Sequence, residues 1–140
     1  MISKILCGVD TSQQSVKAFD HALALGRWAG AEVHVAAVVH GADIEMAEPE
    51  ERERLAARAR DQLSAQLESL QSRASEEDMT IVTHLLSGHP VEKLLELAWN
   101  ENFDHIVVGH RSKGLFERLL MGSVAKRVVD FARCTVTVVR

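Results

Sequence analysis

Hydrophobic and polar positions along this chain follow two periods that take turns. Ile2–Val9 is a short apolar run ending at Asp10-Thr11-Ser12, a strand pattern followed by two residues, Thr11 or Ser12, that can cap a helix. Val16, Phe19, Leu23 and Gly26 then recur at helical spacing. Ala18, Ala22 and Ala29 widen that stripe, and Gly30 stops it. Glu32–Val39, rich in Val, is a second strand, and Ala42–Pro49 reads as an acidic loop. From Glu50 to Arg73 the apolar residues Leu55, Ala59, Leu63, Leu67 and Leu70 draw a narrow stripe on a charged cylinder, the pattern of a surface helix lying on a sheet. Met79–Leu86 is a third strand. Ser87-Gly88-His89 turns the chain, Pro90 suits a first helical position, and Val91, Leu94, Leu95 and Ala98 form the next buried face. His105–Val108, Val124–Ala132 and Thr135–Val139 complete the series as strand, helix and strand.

Strict alternation of five strands with four helices implies parallel pairing with helices on both faces. Right-handed crossovers leave few topologies. The expectation is a three-layer, doubly wound α/β sandwich without internal repeat or linker, and 140 residues suit a single domain spanning 1–140.

Composition narrows the functional classes. Apolar residues make up 46% and charged residues 26%, a globular balance. Sixteen Lys and Arg against 20 Asp and Glu leave a net charge of -4, which argues against nucleic acid as a partner because no general basic face exists to displace counterions. No apolar run approaches a membrane span, and Gly8 and Asp10 interrupt any leader-like segment, so a cytoplasmic location without membrane attachment is expected. Cys7 and Cys134 form no Cys-x-x-Cys pair and are expected as buried hydrophobes. Trp28 and Trp99, at helix ends, are expected to pack at the core edge.

In an open parallel sheet, ligands bind beyond the carboxyl ends of the strands, where the strand order reverses. That rule selects the loops after the first and fourth strands, Asp10-Thr11-Ser12 and Gly109-His110-Arg111-Ser112-Lys113-Gly114. Gly109 allows a tight exit from the strand with no Cβ facing a ligand. Gly122-Ser123 opens the last helix, whose unpaired N–H groups and dipole favour an anion; Ser123 can cap that helix or donate its hydroxyl to a phosphate. Arg111 and Lys113 add positive charge. The spacing is neither the Walker pattern nor the dinucleotide Gly-x-Gly-x-x-Gly. His40, His89 and His110 share the same rim, but no helical His pair or acidic partner has metal-ligand spacing, so no metal site is expected from them. His34, His84 and His105 fall on strands. Asp10 can cap the first helix or hold magnesium beside phosphate oxygens.

Val9-Asp10-Thr11-Ser12, the Gly88-His89-Pro90 turn, and Val108-Gly109 through Gly122-Ser123-Val124-Ala125 to Cys134-Thr-Val-Thr-Val-Val resemble the universal stress protein family over the whole chain. The resemblance implies an adenine nucleotide alpha hydrolase-like, Rossmann-like sheet of order 3-2-1-4-5 and a homodimer paired through the edge strand Thr135 to Val139. An apolar edge of that kind needs cover in any case. The ATP-binding branch is similar in one motif: Gly, two residues, Gly, nine residues, then Gly-Ser or Gly-Thr. Laid on this chain it gives Gly109, then Ser112 in place of the second glycine, then Gly122-Ser123. The resemblance implies Asp10 beside base and ribose and the backbone near Val39 against adenine. Gly109, Arg111, Ser112, Gly122, Ser123, Val124 and Ala125 would surround ribose and phosphates.

If the backbone at Ser112 requires positive φ, a serine there costs on the order of 1 kcal/mol. That is less than tenfold in affinity. The functional expectation is a cytoplasmic stress-response regulator that binds ATP or AMP, with magnesium as a candidate companion, and that is not an enzyme. The alternative is a universal stress protein that binds no nucleotide and serves as a protein-interaction module.

Overall fold

The structure, a computed structural model, describes residues 1–111 and 121–140. Those residues form β1 (Lys4–Val9), α1 (Gln13–Ala29), β2 (Glu32–Val39), α2 (Ala42–Met46), α3 (Pro49–Glu76), β3 (Ile81–Ser87), α4 (Pro90–Asn100), β4 (His105–Gly109), α5 (Ser123–Phe131) and β5 (Thr135–Val139). The strands make one sheet of order β3-β2-β1-β4-β5, every pair parallel. The expected topology is therefore the observed one.

Local chemistry accounts for the element boundaries. Ser12 is the N-cap of α1, and its hydroxyl accepts the N–H of Ser15 at 3.2 Å. Gly30 ends α1 in the left-handed conformation at φ 66, which a side chain would strain. Pro90 occupies the first turn of α4, where its missing N–H costs nothing. The segment expected as an acidic loop instead includes one short helix, α2. Gly41 precedes it without a side-chain cap. A helix of five residues is too short to show a hydrophobic period, so the pattern carried no signal of it.

Strand pleating divides the core in two. Ile5, Cys7, Val9, Val33, Val35, Ala37 and Val107 face α1 and α3, where Phe19, Leu23, Leu67 and Leu70 close the layer. Leu6, Ala36, Ile106 and Val108 face α4 and α5 and meet Val91, Leu94 and Val128. Each fully buried large apolar side chain contributes about 1.5–3 kcal/mol. Cys7 is fully buried, and burial pushes its thiol up to about 12. Cys134 is half-buried rather than buried, its thiol also raised by desolvation and by Asp104. Trp28 and Trp99, expected to pack at the core edge, are instead 81% and 59% exposed, and Arg133 stacks its guanidinium 3.8 Å over the Trp99 ring. A helix end near solvent lets an indole lie along the surface, so position at a helix end did not establish burial.

A clasp joins the start of β1 to the approach to β4. The carboxylate of Asp104 accepts the Ser3 hydroxyl at 2.5 Å, the Ser3 N–H at 2.9 Å and the Lys4 N–H at 3.2 Å. Burial would raise its pKa, but these bonds and the nearby His105 together draw it below the ordinary carboxylate value.

Candidate functional site

A cleft of about 290 Å³ opens at the carboxyl ends of the strands. The topology dictates its course: Gly109 of β4, Asp10 after β1, and Val38 and His40 at the end of β2 all border it, so it crosses three adjacent strand ends. Pro90 and Leu94 of α4 with Val124 and Ala125 of α5 form one wall, and Ala59, Gln62 and Leu63 of α3 the other. Its floor includes Gly8, Ala36 and Val108. Gly8 has a packing reason as well, because a Cβ there would come within 2.8 Å of Leu94 Cδ1.

Asp10 is held by the first turn of α1. Its Oδ1 accepts the Ser12 N–H at 2.8 Å and the Ser15 hydroxyl at 2.7 Å, while its own N–H donates to Ser15 Oγ at 2.7 Å. This is an Asx-type turn that orients the carboxylate before any ligand arrives. The Gln66 amide donates to the Asp10 carbonyl oxygen at 3.3 Å and ties α3 to the same loop.

At the opposite end, the N-cap of α5 is Gly122, not Ser123, and no side chain caps the helix. The N–H groups of Ser123, Val124 and Ala125 have no intrahelical acceptor, as in any first turn. Gly122 N–H bonds the His110 carbonyl at 2.8 Å, and His110 N–H bonds Val139 at 2.6 Å, which fixes this turn to the end of β5. Helix start and glycine together present partial positive charge beside Gly109. At Gly109 the crowding comes from α1: a Cβ would lie 3.2 Å from the Gln14 carbonyl oxygen and 3.3 Å from Gln14 Cβ. The glycine thus admits α1 close to β4.

Of the residues expected at the site, Asp10, Gly109, Gly122, Val124 and Ala125 border the cleft together. Ser123 is exposed beside it, and Arg111 is half-buried and lies outside the lining. Ser112 lies outside the described residues, with Lys113 and Gly114. The Val39 side chain is buried among the core residues facing α1 and α3, and its carbonyl accepts the Gly88 N–H at 3.1 Å. Its neighbours Val38 and His40 are the cleft residues, as strand alternation requires. Of the rim histidines, His40 lines the cleft, His89 is the N-cap of α4 and His110 is buried. The α3 wall was not foreseen. Its narrow stripe indicated packing on a sheet, but which residues border a cleft depends on how far the helix reaches beyond the strand ends. No group of three or more metal-ligating side chains occurs among the described residues.

A second, larger groove of about 690 Å³ lies between α4 and α5 near Phe103, with Trp99 and Phe131 on its rim.

This open parallel sheet, with its cleft where the order reverses, is a doubly wound α/β sandwich, and its structural neighbours place it in the adenine nucleotide alpha hydrolase-like fold. The chain belongs to the universal stress protein family, whose model matches residues 1–140. A universal stress protein of Methanocaldococcus jannaschii is 32% identical over 142 aligned positions, covering all of this chain and 83% of that protein. Among solved structures, universal stress protein UspA from Lactobacillus plantarum superposes with a TM-score of 0.85 at 24% identity, over 99% of this chain and 97% of that one. A universal stress protein solved in complex with cAMP gives a TM-score of 0.73 at 26% identity, over 99% of this chain and 97% of the other. No helix among the described residues is long and apolar enough to cross a membrane.

Proposed function

We propose that this chain binds an adenine nucleotide, ATP or AMP, in the cleft across β4, β1 and β2, and acts as a cytoplasmic stress-response regulator. The observation that carries the reading is the polarity of the cleft. The uncapped start of α5 supplies the backbone N–H groups of Ser123, Val124 and Ala125 at one end, suited to phosphate, and Gly109 and Gly122 set no side chain in the way. Val38, Ala59, Leu63 and Pro90 give an apolar slot toward the other, suited to a base. Asp10 stands between them, oriented to meet ribose hydroxyls. The relative solved with cAMP supports the same ligand class. Where magnesium accompanies the nucleotide, Asp10 would share it with phosphate oxygens.

Binding without turnover fits the chemistry of the walls. Asp10 is the one carboxylate among the described lining residues, and its Oδ1 already accepts two hydrogen bonds. A general base needs a free acceptor positioned at the reacting group; in this reading Oδ2 of Asp10 faces ribose and His40 lies at the base end, so neither stands at the phosphates. Residues 1–140 act as one domain in this reading, and the half-buried edge strand β5 pairs with its copy in a homodimer.

The test is mass spectrometry of ligand released from gently purified protein, with calorimetry against ATP and AMP. Gly122→Asp, which sets a carboxylate at the start of α5, is expected to weaken binding at least tenfold in a protein that still folds. A folded wild-type protein that takes up neither nucleotide at millimolar concentration would overturn the reading in favour of a protein-interaction module.

A further inference from the structure

The two ends of the cleft differ in the side chains that can address a ligand. Toward β4 and α5 the lining is glycine, valine and alanine, so recognition there falls to backbone groups. Toward β2 and α3 two side chains with hydrogen-bonding capacity border an otherwise apolar slot, His40 and Gln62. The His40 ring rests against that of His89, centroids 5.4 Å apart at 54°. Gln62 lies on the exposed flank of α3 and makes no hydrogen bond among the described residues. One helical turn further, Gln66 is pinned to the Asp10 carbonyl. Residues four apart share a helix face, so that bond also sets the height of Gln62 above the cleft.

We infer that Gln62 selects the base, an inference that rests on the nucleotide reading above. A primary amide presents one acceptor and one donor group in a single plane. Adenine offers the matching pair on its N6–N7 edge, an amino donor beside an acceptor, and both bonds form at once. Hypoxanthine and guanine carry an oxygen at position 6, so the same edge shows two acceptors. The amide then satisfies one and sets its own oxygen against the other. The apolar walls Val38, Ala59, Leu63 and Pro90 offer no substitute partner, which leaves His40 and solvent at the exposed flank of Gln62 as the groups that can soften the mismatch. With phosphate bound at the start of α5, the strand order places the base at the β2–α3 end, where Gln62 stands.

Calorimetry with AMP, IMP and ribose 5-phosphate on wild type, Gln62→Leu and Gln62→Glu tests this. Position 62 is exposed on a long helix, so both variants are compatible with the fold, and circular dichroism checks it. Wild type is expected to prefer AMP over IMP by about tenfold or more. Gln62→Leu reduces that preference to within about twofold while ribose 5-phosphate binds as before. Gln62→Glu, which loses the donor to N7, weakens AMP. A preference for AMP that survives in Gln62→Leu, or wild type that binds AMP and IMP equally, overturns the assignment of Gln62 and leaves the nucleotide reading standing. Wild type that binds none of the three ligands overturns both.

Discussion

The imidazoles of His34 and His84 stack across the β2–β3 pair, with Nδ1 of His34 2.9 Å from Nε2 of His84. His34 is buried, its Nε2 lies 3.1 Å from the Glu32 carboxylate, and Phe103 meets its ring edge-on. One proton serves the contact between the rings, so a second is unwelcome. Desolvation first, then the charges of His34 and Lys4, hold the His84 pKa below the ordinary histidine value of 6.5, against a weaker pull upward from Glu101. His105 is lowered as well, by burial first and by His21, with Asp104 opposing.

Stability is therefore expected to fall as pH drops below about 6.5. Unfolded histidines take up protons there before the folded ones do, and the loss continues until pH passes the lower folded values. A second loss begins near 3.8, as Asp104, held low in the fold, is protonated first in the unfolded chain. Urea midpoints from pH 8 to pH 3 read both steps. His84→Gln should shrink the first step and leave the second; an unchanged first step would reject the role of His84.

The crowding of Gly109 by Gln14 gives a separate test. Gly109→Ala requires the first turn of α1 at Gln14 to give by a few tenths of an ångström and is expected to destabilise by about 1 kcal/mol. A lower urea midpoint at unchanged slope is the signature. Equal stability would show that α1 yields freely.

Ser12 and Ser15 divide two tasks around Asp10. Ser12→Ala removes a helix cap and is expected to cost about 1 kcal/mol with little change in nucleotide affinity. Ser15→Ala strips a partner from the Asp10 N–H and from its carboxylate, costs about 1–3 kcal/mol, and weakens ligand binding. Denaturation and calorimetry on the same two variants separate the effects.

Thiol chemistry should distinguish the two cysteines. Cys7, buried with its thiol pushed up to about 12, is expected to react with a disulfide reagent only when the fold opens. Half-buried Cys134 should react in the native state, more slowly than free cysteine. Reagent kinetics with and without urea give the comparison.

The alternation of strands and helices, the Gly30 stop and the Pro90 start were legible because each rests on local chemistry: a period, a left-handed turn, a missing N–H; the strand order came from the family resemblance. The α5 end of the cleft was legible for the same reason, since Gly122 and the start of α5 are neighbours in sequence. The β2–α3 end was legible only at His40, expected on the rim and found in the lining. Gln62 reaches the cleft through the length of α3, and Val38 reaches it through strand parity that places Val39 in the core. Such placements follow from tertiary packing, which no single stretch of sequence encodes.

The clasp of Asp104 on Ser3 and Lys4 has a consequence for the order of events during synthesis. β1 is the middle strand, yet one of its two neighbours, β4, leaves the ribosome about a hundred residues later. At roughly 5–20 residues per second, that edge waits on the order of 5–20 s for its partner. Through this interval the nascent chain displays Leu6 without the β4–α5 layer that will cover it. The stretch from β4 to β5, with its helix start and Gly109, therefore both completes the cleft and ends the interval in which Leu6 lacks its cover.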